Sequence, residues 1–223
     1  MTITVRASLL AVLATATLAA GASPASAAPA SVSVPYYDQQ LNDDCEAAAL
    51  RMLLAARGVS ADDQQILDRI GVDREHPEFG HSGPLSGDPY VAFVGDPDGS
   101  ESAGTGFGVY SPPVVAAARS YGLTVRQDGS GVSVQQLKDQ LAAGHPAIVW
   151  VDYHWRRLRS TTYTAYDGRS VLYAGPAEHT VVVTGFGNGR VSVNDPARGR
   201  TTVSEESFAD GYATYGQMAV VID

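Results

Sequence analysis

The chain has 223 residues, 44% of them hydrophobic and 17% charged, which is enough apolar material for the core of one domain and too much for an intrinsically disordered chain. Its 24 acidic residues outnumber 15 basic ones, for a formal net charge of −9, and Lys138 is the only lysine. With no basic cluster beyond Arg156-Arg157-x-Arg159, this charge argues against nucleic acid and anionic membranes as partners; the single cysteine, Cys45, excludes an intramolecular disulfide, a zinc ribbon and a two-cysteine redox motif.

The amino-terminal segment reads as an export signal. A start carrying Arg6 precedes the uncharged apolar run 7–20, and Ala25-Ser26-Ala27 supplies a small-residue cleavage site. Residues 1–27 are therefore expected to be a secretory signal peptide, the run being short for a membrane span. Residues 28–33 are expected to be a disordered leader and 34–223 the folded domain, secreted and free of the membrane after cleavage. A lone thiol in an exported chain suggests a reactive group, against the alternative of a small buried hydrophobe.

Residues 34–37 read as extended. A first helix starts at Cys45, with Ala47, Leu50, Leu53 and Leu54 on one face and Gly58 closing it. A second has Ser60 as N-cap and runs through Ile66, Leu67 and Ile70. Residues 73–110, rich in Gly, Pro, Asp and Ser, read as a long irregular stretch of the functional kind. A third helix opens at Ser111-Pro112 and ends at Gly122; a fourth opens on the capping box Ser133-x-x-Gln136 and ends at Gly144. Strand-like segments follow at 147–153, 162–167, 170–174, 179–186, 190–195 and 217–223, with Asn188-Gly189 as a tight hairpin turn. Helices first and strands second is the α+β pattern, with N-terminal helices packed on a C-terminal antiparallel sheet.

Cys45 at a helix start would meet unpaired N–H groups and the positive end of the dipole, which favour a thiolate. Asp43, Asp44 and Glu46 flank it and oppose that form. A thiol nucleophile needs a histidine, itself oriented by a third group. Of His76, His81, His145, His154 and His179, only His179 has a rigid strand beneath it and a hairpin returning Asn194-Asp195 alongside. A strict two-residue turn would set His179 opposite Arg198, leaving Asp195 on the other face. A bulge or a strand end before Pro196 would bring it back; otherwise Asn194 is the better-placed orienter. No histidine pair has metal-ligand spacing, so zinc is a weak reading. Tyr36, Tyr37, Tyr90, Tyr110, Trp150 and Trp155 are candidates for cleft walls, Trp150 being better explained as core, and the acidic field would favour basic substrates.

VPYYDQ and CEAAAL, then AFVGDPDG (92–99), GFGVYSPPV (106–114), GHPAIVWV (144–151) and HTVVVTGFGNGRVSVNDPARG (179–199), together resemble secreted C39-like cysteine peptidases of the papain-like fold. The resemblance implies Cys45 as nucleophile, His179 as general base and acid and Asp195 as its orienter. It also implies Gln39, with the Cys45 backbone N–H, as oxyanion donor. The NDP motif and its 16-residue spacing from His179 match that family's pattern, so the resemblance favours Asp195 over Asn194. It further implies a peptide or protein substrate, a thioester intermediate and no metal or organic cofactor. The chain has neither membrane spans nor a P-loop, so the leader-cutting role of transporter-linked members does not carry over. A non-catalytic peptide- or wall-binding module on the same fold, and an acyl or peptidyl transferase using the same residues, are the alternatives.

Overall fold

The computed structural model describes residues 1–2 and 30–223. The signal-peptide expectation falls almost wholly on 3–27, outside the described residues. The described chain is mixed α/β, with strands β1 (Ala30–Ser31), β2 (Val72–Asp73), β3 (Phe93–Gly95), β4 (Gly106–Gly108), β5 (Val125–Gly129), β6 (Ala147–Asp152), β7 (Thr161–Thr164), β8 (Ser170–Tyr173), β9 (Glu178–Gly187), β10 (Arg190–Asp195), β11 (Gly199–Ser204) and β12 (Ala219–Ile222). The helices are α1 (Cys45–Ala56), α2 (Asp63–Ile70), α3 (Ser111–Ser120), α4 (Val134–Ala142) and α5 (Glu205–Thr214).

The main sheet is antiparallel, ordered β11-β10-β9-β6-β12-β5, with β1 also paired to β9. Its central strands are apolar on both sides because helices cover both faces. Ile148, Trp150, Val182, Val220 and Ile222 join the core under α1, α2 and α3. Val149, Val151, Val181, Val183 and Val221 join a second core with Leu137 and Leu141 of α4 and Phe208 and Tyr212 of α5. Among the described residues no helix is long and apolar enough to cross a membrane.

Several local expectations are corrected. Ala30–Ser31, expected within a disordered leader, pairs with Phe186 and Gly185, and the Val32 N–H continues the pairing to the Thr184 carbonyl at 2.8 Å. The cap of α2 is Asp62 rather than Ser60, because Asp62 and Gln65 form the reciprocal capping box. α5, β5 and β11 were not anticipated; Ser204, whose side chain caps α5, with Glu205 and Glu206 behind it, was the available signal. Helices and strands therefore alternate more than a simple two-block order allows. The Ser133 capping box starts α4 where the sequence puts it.

Candidate active site

Cys45 is the first residue of α1, delivered by the loop 39–44. That loop is held from both sides. The Gln39 N–H donates to the Pro196 carbonyl at 3.1 Å, and the Asp43 N–H donates to the Pro97 carbonyl at 3.0 Å. Asn42 Nδ2 donates to Asp98 Oδ1 at 2.9 Å. The 92–99 and 194–196 segments thus meet at the loop that carries Cys45. Asp44, adjacent in sequence to the thiol, serves another region: its Oδ1 accepts the Leu41 N–H, and it lies near Asp63, which pairs with Arg51.

His179 stands near the start of β9, opposite Val151 of β6. Asn188 and Gly189 have φ of 53° and 71°, the left-handed pair that a two-residue hairpin requires. From that turn Ser192 pairs with Gly185, but Val193 pairs with Val183, leaving Thr184 as an extra residue. This bulge slips the register by one, so Asp195 comes onto the His179 face. His179 Nε2 and Asp195 Oδ1 are 2.8 Å apart. Phe186, Val183 and Val181 all enter the same core, a break in strict alternation that a period-two reading of 179–186 overlooks. Asn194 points the other way, donating to the Val34 and Pro35 carbonyls at 3.2 and 3.3 Å. Arg198 binds Asp195 Oδ2 at 2.9 Å and lies over the Tyr153 ring, which packs edge-on to His179 at 5.0 Å.

Cys45 and His179 line one cleft of about 310 Å³ with Gln39, Asp43, Glu101 and Glu178. Cys45 is 7% exposed and His179 4%. Gln39 is present, but both its side-chain N–H groups are engaged, donating to the Leu41 and Asn42 carbonyls at 3.0 and 2.8 Å. Of the other histidines only His154 reaches the cleft. His76 pairs with Asp73, His81 with Glu78 and His145 with Asp223. None of the six aromatic residues expected as cleft walls lines it. Trp150 and Tyr110 are buried core, and Tyr153, which sequence reading missed, takes that place.

The electrostatics decide between the opposing influences on Cys45. Burial, then Glu46, Glu178 and Asp43, push the Cys45 thiol well above its ordinary value, with only the Thr180 backbone N–H acting the other way. Cys45 Sγ donates to Glu46 Oε2 at 3.6 Å. The helix start does not offset burial and three carboxyl groups, so Cys45 rests as a neutral thiol. Burial raises Asp43 to about 7 and Glu46 to about 8, the latter opposed by the Val109 N–H that Glu46 Oε1 accepts at 2.7 Å. Burial pulls Asp195 up too, but the hydrogen bond and charge of His179 and the Arg198 guanidinium outweigh it and hold this carboxyl below the usual range. Among the described residues, Cys45 Sγ and carboxyl oxygens of Glu46 and Glu178 lie within 4.8 Å of one another, close enough to share a cation.

These raised carboxyls carry a stability prediction. Asp43, Asp44 and Glu46 hold protons in the folded state up to about 7, 8 and 8, while the unfolded chain releases them near pH ~4. Their stabilisation is complete below the unfolded value and is lost as pH rises through the folded ones. The Asp195 contribution has the opposite sign and is lost only in stronger acid. The melting temperature should therefore fall by at least about 5 °C between pH 5 and pH 8.5. Glu46→Gln should flatten that slope. Thermal melts across this range check it, and a flat or rising profile would contradict the assignment.

A model of the Peptidase C39 like family matches residues 31–220. The uncharacterized protein YvpB of Bacillus subtilis (strain 168) is 28% identical over 191 residues, 82% of this chain and 70% of its own. A candidate C39-like peptidase from Bacillus anthracis superposes with a TM-score of 0.74 at 24% identity, over 88% of this chain and 98% of that one. It shares the fold. The double glycine motif protease of an AMS/PCAT transporter, solved with its leader peptide, aligns with a TM-score of 0.49 at 20% identity, over 86% and 92% of the two chains.

Proposed function

The chain belongs to the Peptidase C39 like family, and on that basis we propose that it is a secreted cysteine peptidase acting through Cys45, His179 and Asp195. The observation that carries the reading is the 2.8 Å pair of His179 Nε2 and Asp195 Oδ1 in the cleft that Cys45 also lines. Asp195 engages Nε2, which leaves Nδ1 as the nitrogen that exchanges a proton with the thiol.

In this reading, His179 Nδ1 takes the Sγ proton as Cys45 attacks the substrate carbonyl carbon. The C–N bond then breaks, and the imidazolium returns that proton to the leaving amine, leaving a thioester. Water attacks the thioester with His179 again as base, releasing the acid and restoring the thiol. The oxyanion meets the backbone N–H of Cys45, one of the first helical N–H groups that have no intrahelical partner. Gln39 Nε2 joins it by exchanging one of its loop carbonyls. The resting neutral thiol makes the proton transfer part of the attack rather than a prior equilibrium. Secretion follows from the amino-terminal signal pattern.

The test is the rate of iodoacetamide alkylation across pH 5–10, wild type against His179→Ala. With one cysteine in the chain the readout is unambiguous. His179→Ala should slow alkylation near pH 7.5 by about tenfold or more, since base assistance contributes ~10²–10⁴ in related steps. Superimposable profiles would mean that the two side chains do not act together. Product analysis with an added amine separates hydrolysis from transfer.

A further inference from the structure

Four buried carboxyl groups of this protein are paired with arginine. Asp63, Asp88, Asp152 and Asp195 each have an arginine nitrogen within 3.0 Å: Arg51, Arg169, Arg156 and Arg198. The carboxyls of the cleft have none. Glu178 is 8% exposed; its Oε1 takes only a 3.4 Å hydrogen bond from Thr180, and its Oε2 accepts none among the described residues. Glu101 Oε2 accepts the Glu178 N–H at 2.8 Å, while its Oε1 has neither solvent access nor a hydrogen-bond partner. Asp43 Oδ2 is in the same condition. All three residues line the cleft beside Cys45, and its lining includes no lysine or arginine.

A buried carboxylate without a partner is costly, so such groups stay protonated or acquire a counter-charge. Burial and mutual repulsion raise Glu101 and Glu178 well above their ordinary range, which keeps them neutral while the cleft is empty. An entering cation reverses that balance, because Glu178 Oε2, and the Asp43 and Glu101 oxygens once those side chains turn toward the cleft, become charge-assisted acceptors.

We propose that the cleft is a specificity site for a basic side chain, arginine above lysine, in the substrate residue next to the scissile bond, with Asp43, Glu101 and Glu178 as its acceptors. This rests on the peptidase reading for the words "scissile bond", but the binding itself does not require catalysis. Arginine is favoured because a planar guanidinium offers five donors in a fixed fork, which matches several carboxyl oxygens better than a point charge does. The cleft, at about 310 Å³, has room for that group.

The test uses the full chain carrying Cys45→Ala, so that no turnover intervenes, and calorimetric titration at pH 7.5. The probes are an acetylated and amidated pentapeptide with arginine between pairs of alanines, the same peptide with citrulline, and the citrulline peptide with a free amino terminus. Citrulline keeps the shape of arginine and removes the charge. The arginine peptide should bind at least about tenfold more tightly than blocked citrulline. Adding Glu101→Gln and Glu178→Gln should shrink that ratio to about threefold or less. Equal binding of arginine and citrulline, or no binding of either, overturns the proposal. So does a free-amine citrulline peptide that matches the arginine one, since the recognised cation would then be a chain terminus. Failure here leaves the His179-dependent alkylation untouched, and failure of that alkylation leaves this binding ratio intact.

Discussion

Cys45→Ala should lower kcat/KM for a peptide selected by the wild-type chain by at least about 10³-fold, without lowering the melting temperature appreciably. In the proposed reaction the thiol forms the thioester, so its loss removes the covalent route rather than weakening it. Alanine fills most of the same small volume, and Cys45 belongs to neither hydrophobic cluster, so the packing loss is slight. His179→Ala should cost a comparable factor. The double substitution should cost little more than either alone, because nucleophile and base act as one unit. Asp195→Ala should also be severe, about 10²–10⁴-fold, and should destabilise the fold as well, since it leaves Arg198 and the buried His179 without their acceptor. Steady-state kinetics of the four variants decide this. Hydrolysis that persists in Cys45→Ala would remove the peptidase assignment to this cleft and give the lead to a binding module.

Trp150→Ala is expected to have the largest effect on stability, about 3–5 kcal/mol from lost packing. Trp150 is fully buried in the middle of β6, facing the core beneath α1 and α3. Its Nε1–H donates to the Val109 carbonyl at 2.9 Å, and the Val109 N–H in turn donates to Glu46 Oε1. The substitution opens a cavity and orphans a buried acceptor, and it loosens the segment after β4 that holds the Glu46 carboxyl beside Cys45. Neighbouring Gly108, the last residue of β4, explains why this segment has so little freedom. Its φ is +126°, and a Cβ there would lie 2.5 Å from Glu46 Oε1 and 2.9 Å from Glu178 Oε2. Urea denaturation measures the effect. Trp150→Phe, which keeps most of the volume and loses the hydrogen bond, should lose about 1–2 kcal/mol. A cost below about 1 kcal/mol for Trp150→Ala would mean that the β6 core does not carry the packing assigned to it.

Much of the candidate site was legible in the sequence, and the illegible parts share a cause. Cys45 at a helix start, His179 on an apolar strand and the Asn188-Gly189 turn are local patterns, each written within a few residues. The partner of His179 was not settled locally. Alternation alone put Asp195 on the wrong face, and the bulge at Thr184 corrected it, because Val181, Val183 and Phe186 must all reach the same core. The charge state of Cys45 was left open by the sequence for a similar reason. Dipole and sequence neighbours were visible, but Glu178 and the degree of burial were not.

The sequence by itself therefore determined which segments become helices and strands wherever a cap, a turn or an unbroken apolar run marks them, as at Ser133, Asn188-Gly189 and β6. Those signals are short-range backbone preferences and need no partner. Only the tertiary structure decided the pairing register of β9 and β10, the second helical layer completed by α5, and the meeting of Asp43, Glu46, Glu101 and Glu178 around one thiol. Those outcomes depend on which faces are buried against which, and burial sets the charge state of each group. Residues far apart in the chain acquire a common electrostatic environment only when folding removes the water between them.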